Sequence, residues 1–259
     1  MIAITHRISP RMSACELSFV ERTPIDLARA EAQHGAYLAA LREAGAEVIA
    51  LATHLEHPDA VFVEDTAVVL DELAIVTRPG ASSRRGECAA IAEALRPHRE
   101  LRAIDAPGVL EGGDVLRVGR TLYVGLGTRS DREGHAQLAR LVRPYDYEVR
   151  SVPLRGCLHL KTGATALDEQ TLLAQPEWID LEAFAGFRVL PVDPREPFAA
   201  NTLRVGETLL VSASHPRTRE RIEAAGFATR ALAIGEIERA EGGLTCLSLL
   251  FRSRRAGAP

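Results

Sequence analysis

Short apolar runs separated by polar turns dominate this chain, and three stretches repeat one arrangement of them. EDTAVVLDELAIVTRPGASSRRGECAAIAEAL (64–95), GDVLRVGRTLYVGLGTRSDREGHAQLARL (113–141) and ANTLRVGETLLVSASHPRTRERIEAAG (200–226) share it. Each begins with a polar residue (Asp65, Asp114, Asn201) and continues with a short apolar strand, a tight turn (Asp71-Glu72, Gly119-Arg120, Gly206-Glu207) and a second apolar strand. Turns of this length join antiparallel strands. Beyond the second strand come a loop and the spacing of an amphipathic helix.

A more divergent fourth copy is LKTGATALDEQTLLAQPEWIDLEAF (160–184), in which one inserted residue aligns ALDEQTLLA with VLDELAIV and puts Thr162 at the place of Asp65. Each helix precedes another β-like run: EVIAL (47–51), LRAID (101–105), YEVRSV (147–152) and FRVLPV (187–192). The repeating unit is therefore strand, strand, helix, strand, recurring about every 40–50 residues, as in modules set around an axis. The N-terminal helix PIDLARAEAQHGAYLAALREAG (24–45) has only one strand before it, and GGLTCLSLLF (242–251) has the character of the missing first strand. The expectation is an α/β ring of five ββαβ modules closed by the two chain ends, which leaves no open sheet edge.

Composition agrees with one catalytic domain over 1–252. The chain has 259 residues and 46% hydrophobic content, enough for a substantial core. With 31 basic and 35 acidic residues interspersed, no basic face suggests nucleic acid. FRSRRAGAP (251–259) is basic, and its part beyond Arg252 reads as a flexible, solvated tail (253–259). No apolar segment is long enough to span a bilayer and MIAITHRISP lacks the pattern of an export signal, so a cytoplasmic location is expected. Cys15, Cys88, Cys157 and Cys246 are scattered, which argues against a structural metal and a disulfide framework.

If equal offsets in different modules lie at equal heights around the axis, chemistry converges. Glu111 is three residues before Asp114, His159 three before Thr162, and Cys246 belongs to the ring-closing module. Taken singly they read as turn, core and packing residues; together they make a thiol, an imidazole and a carboxylate at one mouth, the set for nucleophilic catalysis. Asp59, Glu64 and Asp65 add an acidic group that calls for a cation. One histidine in that position is too few for a metal, so a planar guanidinium or an amine fits better. Arg84, Arg85 and Arg129 stand in helix-proximal loops, where they either grip a ligand carboxylate or form surface salt bridges. GLGTRS (125–130) lacks the context of a dinucleotide loop.

HPDAVFVED, TRPGASSRRGE, APGVLEGGD, TRSDREG, LHLKTG, AAN, SHPRTRERI and GGLTCLSLLF, in this order over 1–252, resemble the dimethylarginine dimethylaminohydrolase family of the guanidine-modifying pentein superfamily. The resemblance implies a five-bladed α/β propeller that hydrolyses Nω-methylated arginines to citrulline and methylamine or dimethylamine, without cofactor or metal. It makes Cys246 the nucleophile, His159 the general acid and base, and Glu111 the carboxylate beside it. Asp65 would grip the guanidinium, with Asp59 and Glu64 nearby, Arg84 and Arg129 on the amino-acid end, and Leu17 in a lid. Gly112 stands where relatives can carry Ala. The alternatives are a deiminase of free arginine, agmatine or another guanidine, and a non-catalytic arginine-binding module; an amidinotransferase would need an acceptor-amine site. The expected partner is a small guanidino molecule, and the chain a monomer or homodimer.

Overall fold

The computed structural model describes residues 1–253; the expected tail lies, except for Ser253, outside the described residues. The chain opens with β1 (Ile2–His6), α1 (Leu27–Glu43) and β2 (Glu47–Leu51), with β2 parallel to β1. The next module contains β3 (Ala67–Val69), β4 (Leu73–Val76), α2 (Cys88–Leu95) and β5 (Glu100–Ala103). β6 (Val115–Val118), β7 (Thr121–Leu126), α3 (Arg132–Val142) and β8 (Glu148–Pro153) repeat it. The one-turn helix α4 (Leu160–Gly163) leads into β9 (Ala164–Ala166), β10 (Thr171–Ala174) and β11 (Arg188–Pro191). Then come β12 (Leu203–Val205), β13 (Thr208–Ser212), α5 (Pro216–Ala224) and β14 (Ala228–Leu232), followed by α6 (Gly235–Glu238) and β15 (Leu249–Phe251). β15 pairs antiparallel with β1, Ile2 opposite Phe251, so the last segment supplies the strand missing at the start.

Among the described residues there are five three-stranded sheets, each with an antiparallel hairpin and a parallel third strand. The expected hairpin turns are present; Gly119 and Gly206 supply positive φ, 57° and 61°, that other residues resist. The fourth module departs from the pattern twice. Its hairpin has a three-residue turn, in which Asp168 Oδ1 accepts the backbone N–H groups of Gln170 and Thr171. Its helix is replaced by a 3-10 turn, Leu181–Phe184. The link there is short and carries Pro176, and stacked Tyr123 and Phe184, 4.5 Å apart, fill the space.

Each of five apolar clusters among the described residues joins two neighbouring modules. Ile75 with Val124, Ile4 with Ile91, Tyr123 with Leu172, Leu173 with Val211, and Tyr37 with Leu210 each share one. The middle strand of each sheet is thus covered on both faces, which is why β4, β7, β10 and β13 read as unbroken apolar runs, whereas outer strands such as β5 and β8 are largely exposed. The innermost strands, β3, β6, β9, β12 and β15, instead surround an axial cavity of about 300 Å³ that contains Glu64, Lys161, Thr165, Thr202, Thr245 and Ser248.

Candidate active site

A short helical turn precedes four of the five inner strands, and these turns carry the chemistry. They are the 3-10 turns Val63–Thr66, Gly112–Asp114 and Thr245–Leu247, together with α4. Glu111 and His159 are the cap residues of their turns, and each backbone carbonyl accepts the N–H three residues on, from Asp114 and Thr162. Their expected equivalence holds in this sense. Cys246 is not on a strand, as its apolar run suggested. It sits on the turn before β15, because Thr245 N–H donates to Asn201 Oδ1 at 3.0 Å and Thr245 Oγ1 to Glu64 at 2.6 Å.

The polar residue that opens each of the three clear repeats is a clamp between modules. Asp65 accepts the N–H of Gly113 (3.0 Å), Asp114 that of Leu160 (2.9 Å) and Asn201 that of Thr245 (3.0 Å). Turns can approach this closely only where side chains are missing. A Cβ on Gly112 would lie 1.9 Å from the Glu64 carbonyl oxygen, and one on Gly113 2.6 Å from both Asp65 Oδ1 and His159 Nδ1. An alanine at 112 therefore does not fit this backbone.

His159 Nε2 lies 2.6 Å from Glu111 Oε2 and 3.7 Å from Asp65 Oδ1. With Nε2 donating to Glu111, Nδ1 makes no hydrogen bond among the described residues. Asp59, Asp65, Arg84, Arg129, His159 and Cys246 line one small cavity of about 20 Å³, room for about one water. Glu111 is wholly buried behind His159. Glu64 faces the axial cavity instead, bound to Lys161 Nζ (2.5 Å) and Thr245. Leu17 is packed against the apolar cluster under α1 and does not line the small cavity, whereas its neighbour Glu16 does. The segment is held down by Glu241, whose carboxylate accepts Ser18 N–H (2.7 Å) and Phe19 N–H (2.9 Å), and by Arg129, which donates to Ser18 Oγ.

Arg84 and Arg129 are buried, which rules out surface salt bridges. Arg84 is held by Asp65, Glu87 and the Phe62 carbonyl; Arg129 reaches Glu111 Oε1 at 3.4 Å. Asp65, Glu64 and Glu111 thus have cations from the protein itself, which the sequence reading missed. Lys161 was detectable two residues after His159, but its partner is 97 positions away. Asp65, Glu111 and His159 each bring one possible metal ligand within 4.8 Å of the others, yet the arginines already on the two carboxylates oppose a dication.

Burial, then the Glu64 and Asp65 carboxylates, push the Cys246 thiol up to about 12, against the Gly243 N–H and Lys161. Burial alone would lower His159, but Asp65, the hydrogen bond to Glu111 and Asp114 outweigh it and raise the imidazole to about 9. Burial also raises Asp59 to about 6, although Arg84 pulls the other way. At neutral pH the cavity therefore holds a thiol and an imidazolium.

The closed ring of five modules is the α/β propeller of the penteins, and a mouth that gathers thiol, imidazolium and carboxylates places the chain among the hydrolases of that class. A family model described as N,N dimethylarginine dimethylhydrolase, eukaryotic, matches residues 15–180. N(G),N(G)-dimethylarginine dimethylaminohydrolase of Streptomyces coelicolor is 39% identical over 251 residues, 96% of either chain. A crystal structure of the Pseudomonas aeruginosa enzyme, a cysteine-to-serine variant with citrulline, superposes with a TM-score of 0.89 and 33% identity, covering 96% of this chain and 98% of that one. The N-terminal domain of ArgZ, a cyanobacterial arginine dihydrolase, shares the fold at a TM-score of 0.82 and 23% identity, covering 96% and 97% of the two chains. The chain belongs to the dimethylarginine dimethylaminohydrolase family and is a hydrolase of that type. Among the described residues no helix is long and apolar enough to cross a membrane.

Proposed function

We propose that this hydrolase converts asymmetric dimethylarginine and monomethylarginine to citrulline and the methylated amine through a covalent thiouronium on Cys246. The observation that carries the reading is the cavity shared by Cys246, His159, Asp65 and Arg129. The citrulline held by the Pseudomonas relative supports the product.

The carbon of a guanidinium is deactivated by resonance and needs a thiolate, yet the free site keeps its thiol neutral. The cationic substrate supplies what is missing: placed beside Asp65, it offsets the carboxylates that hold the proton on sulfur. Arg129, with Arg84 behind it, takes the ligand carboxylate, and Asp59 faces the amino-acid end. His159 is already protonated, so the Sγ–H proton passes to solvent as the substrate binds; as Sγ then bonds to the guanidinium carbon, His159 Nδ1–H protonates the departing amine and the C–N bond breaks. The neutral imidazole then accepts a proton from water, which displaces sulfur and releases citrulline. Glu111 holds the ring throughout and stabilises its charge whenever it is protonated.

The test is citrulline release from asymmetric dimethylarginine, monomethylarginine and arginine side by side, with acid-quenched enzyme weighed by mass spectrometry. The methylated substrates should dominate and leave an adduct on Cys246 equal to substrate minus amine. Faster release from arginine would reassign the enzyme to a deiminase, and no release from any would leave a binding module.

A further inference from the structure

Cys246 has a second cavity beside it. This space, about 170 Å³, is more than eight times the volume of the catalytic one, and Glu241, Gly242 and Cys246 line both. Its walls are apolar: Val20 from the lid segment, Ile234, and Phe198, which forms a 40% exposed rim. Its polar residues are Thr162, Asn201, Ser212, His215, Glu238 and Glu241. Glu238 is fixed by Ser212 Oγ (2.5 Å) and Ser214 Oγ (2.6 Å), with His215 Nε2 at 3.5 Å, and His215 Nδ1 is buried with no partner among the described residues.

No step of the reaction above uses this space. Arg84, Arg129 and Asp59 belong to the other cavity, so an arginine whose amino-acid end lies there and whose guanidinium carbon lies at Sγ has only its substituted nitrogen left to direct this way. Resting on that functional reading, we propose that the second cavity is a subsite for the group on the departing nitrogen, and that it takes Nω-alkyl chains ending in a cationic amine. The apolar walls suit methylenes, and the two carboxylates suit an ammonium. Chemistry is unchanged: the Sγ–C bond forms, the C–N bond to the substituted nitrogen breaks with a proton from His159, and water then replaces sulfur. Citrulline and a diamine are released, with nothing oxidised or reduced.

A matched pair tests the subsite: Nω-(3-aminopropyl)-arginine and its neutral isostere Nω-butylarginine, with asymmetric dimethylarginine alongside, read as citrulline release by the full chain. The cationic chain should exceed the neutral one in kcat/KM by about tenfold, the worth of one hydrogen bond to a charged group. Glu238→Gln should bring that ratio close to one, and Phe198→Arg, a surface change that sets a cation at the rim, should lower it as well. Citrulline from dimethylarginine but from neither long substrate overturns the subsite and leaves the functional reading standing. A preference for butyl, or a ratio unmoved by both variants, overturns it too. No citrulline from any of the three overturns the functional reading itself.

Discussion

Ion pairs gather at both ends of the inner strands, and the two ends behave differently. At the hairpin end Arg117 meets Asp71 and Arg120 meets Glu72, bridging the β3–β4 and β6–β7 turns. At the other end Arg84 meets Asp65, His159 meets Glu111 and Lys161 meets Glu64. The Arg117–Asp71 side chains are 33% and 51% exposed, the Arg84–Asp65 side chains 4% each. Water screens the first pair, whose contribution is about 0–1 kcal/mol. Around the second the protein replaces water, so the same kinds of residue shift one another's protonation and hold charge that the proposed reaction would use. Exposure, more than residue type, separates a surface staple from an active site.

This contrast can be broken at four points. His159→Gln removes the acid from the buried end while its amide can still donate to Glu111, and turnover should fall by about 10²–10⁴; steady-state citrulline release checks it. Asp65→Ala leaves the buried Arg84 with Glu87 as its one carboxylate partner and removes the acceptor of Gly113 N–H, which should cost about 1–3 kcal/mol in chemical denaturation and lower turnover. Gly112→Ala forces a methyl against the Glu64 carbonyl and should cost about 1–3 kcal/mol, with slower turnover because the Asp65 and Glu111 turns are pushed apart. Asp71→Ala should change stability by no more than about 1 kcal/mol, an effect that added salt shrinks further, and leave turnover as it was.

Much of the ring was legible because the middle strand of each sheet is covered on both faces, so β4, β7, β10 and β13 all read as apolar runs after a recognisable turn. The strand missing before α1 announced that β15 must return to close the ring. The residues gathered at one mouth were legible for a related reason: Glu111 and His159 cap equivalent turns. Other features left no periodic signal. A turn of three or four residues is too short to show one, so Cys246 read as strand. The fourth module's helix was expected from the repeat and is absent because Pro176 and the packed aromatics leave no room for it. The pairing of Lys161 with Glu64 arises only once distant modules meet. Nor does the pattern of Val20, Phe198, Ile234 and Glu238 along the chain point to a common cavity.

The thiol of Cys246 offers the most direct test, through the thiolate ultraviolet absorbance of the wild type minus that of Cys246→Ser, followed against pH with and without a saturating guanidinium-bearing ligand. Without ligand the sulfur should stay protonated through the ordinary thiol range, near 8.5, and titrate toward about 12; with ligand the titration should move down by units of pH. A thiolate already formed at neutral pH in the free protein, or a titration that the ligand leaves in place, would contradict the account.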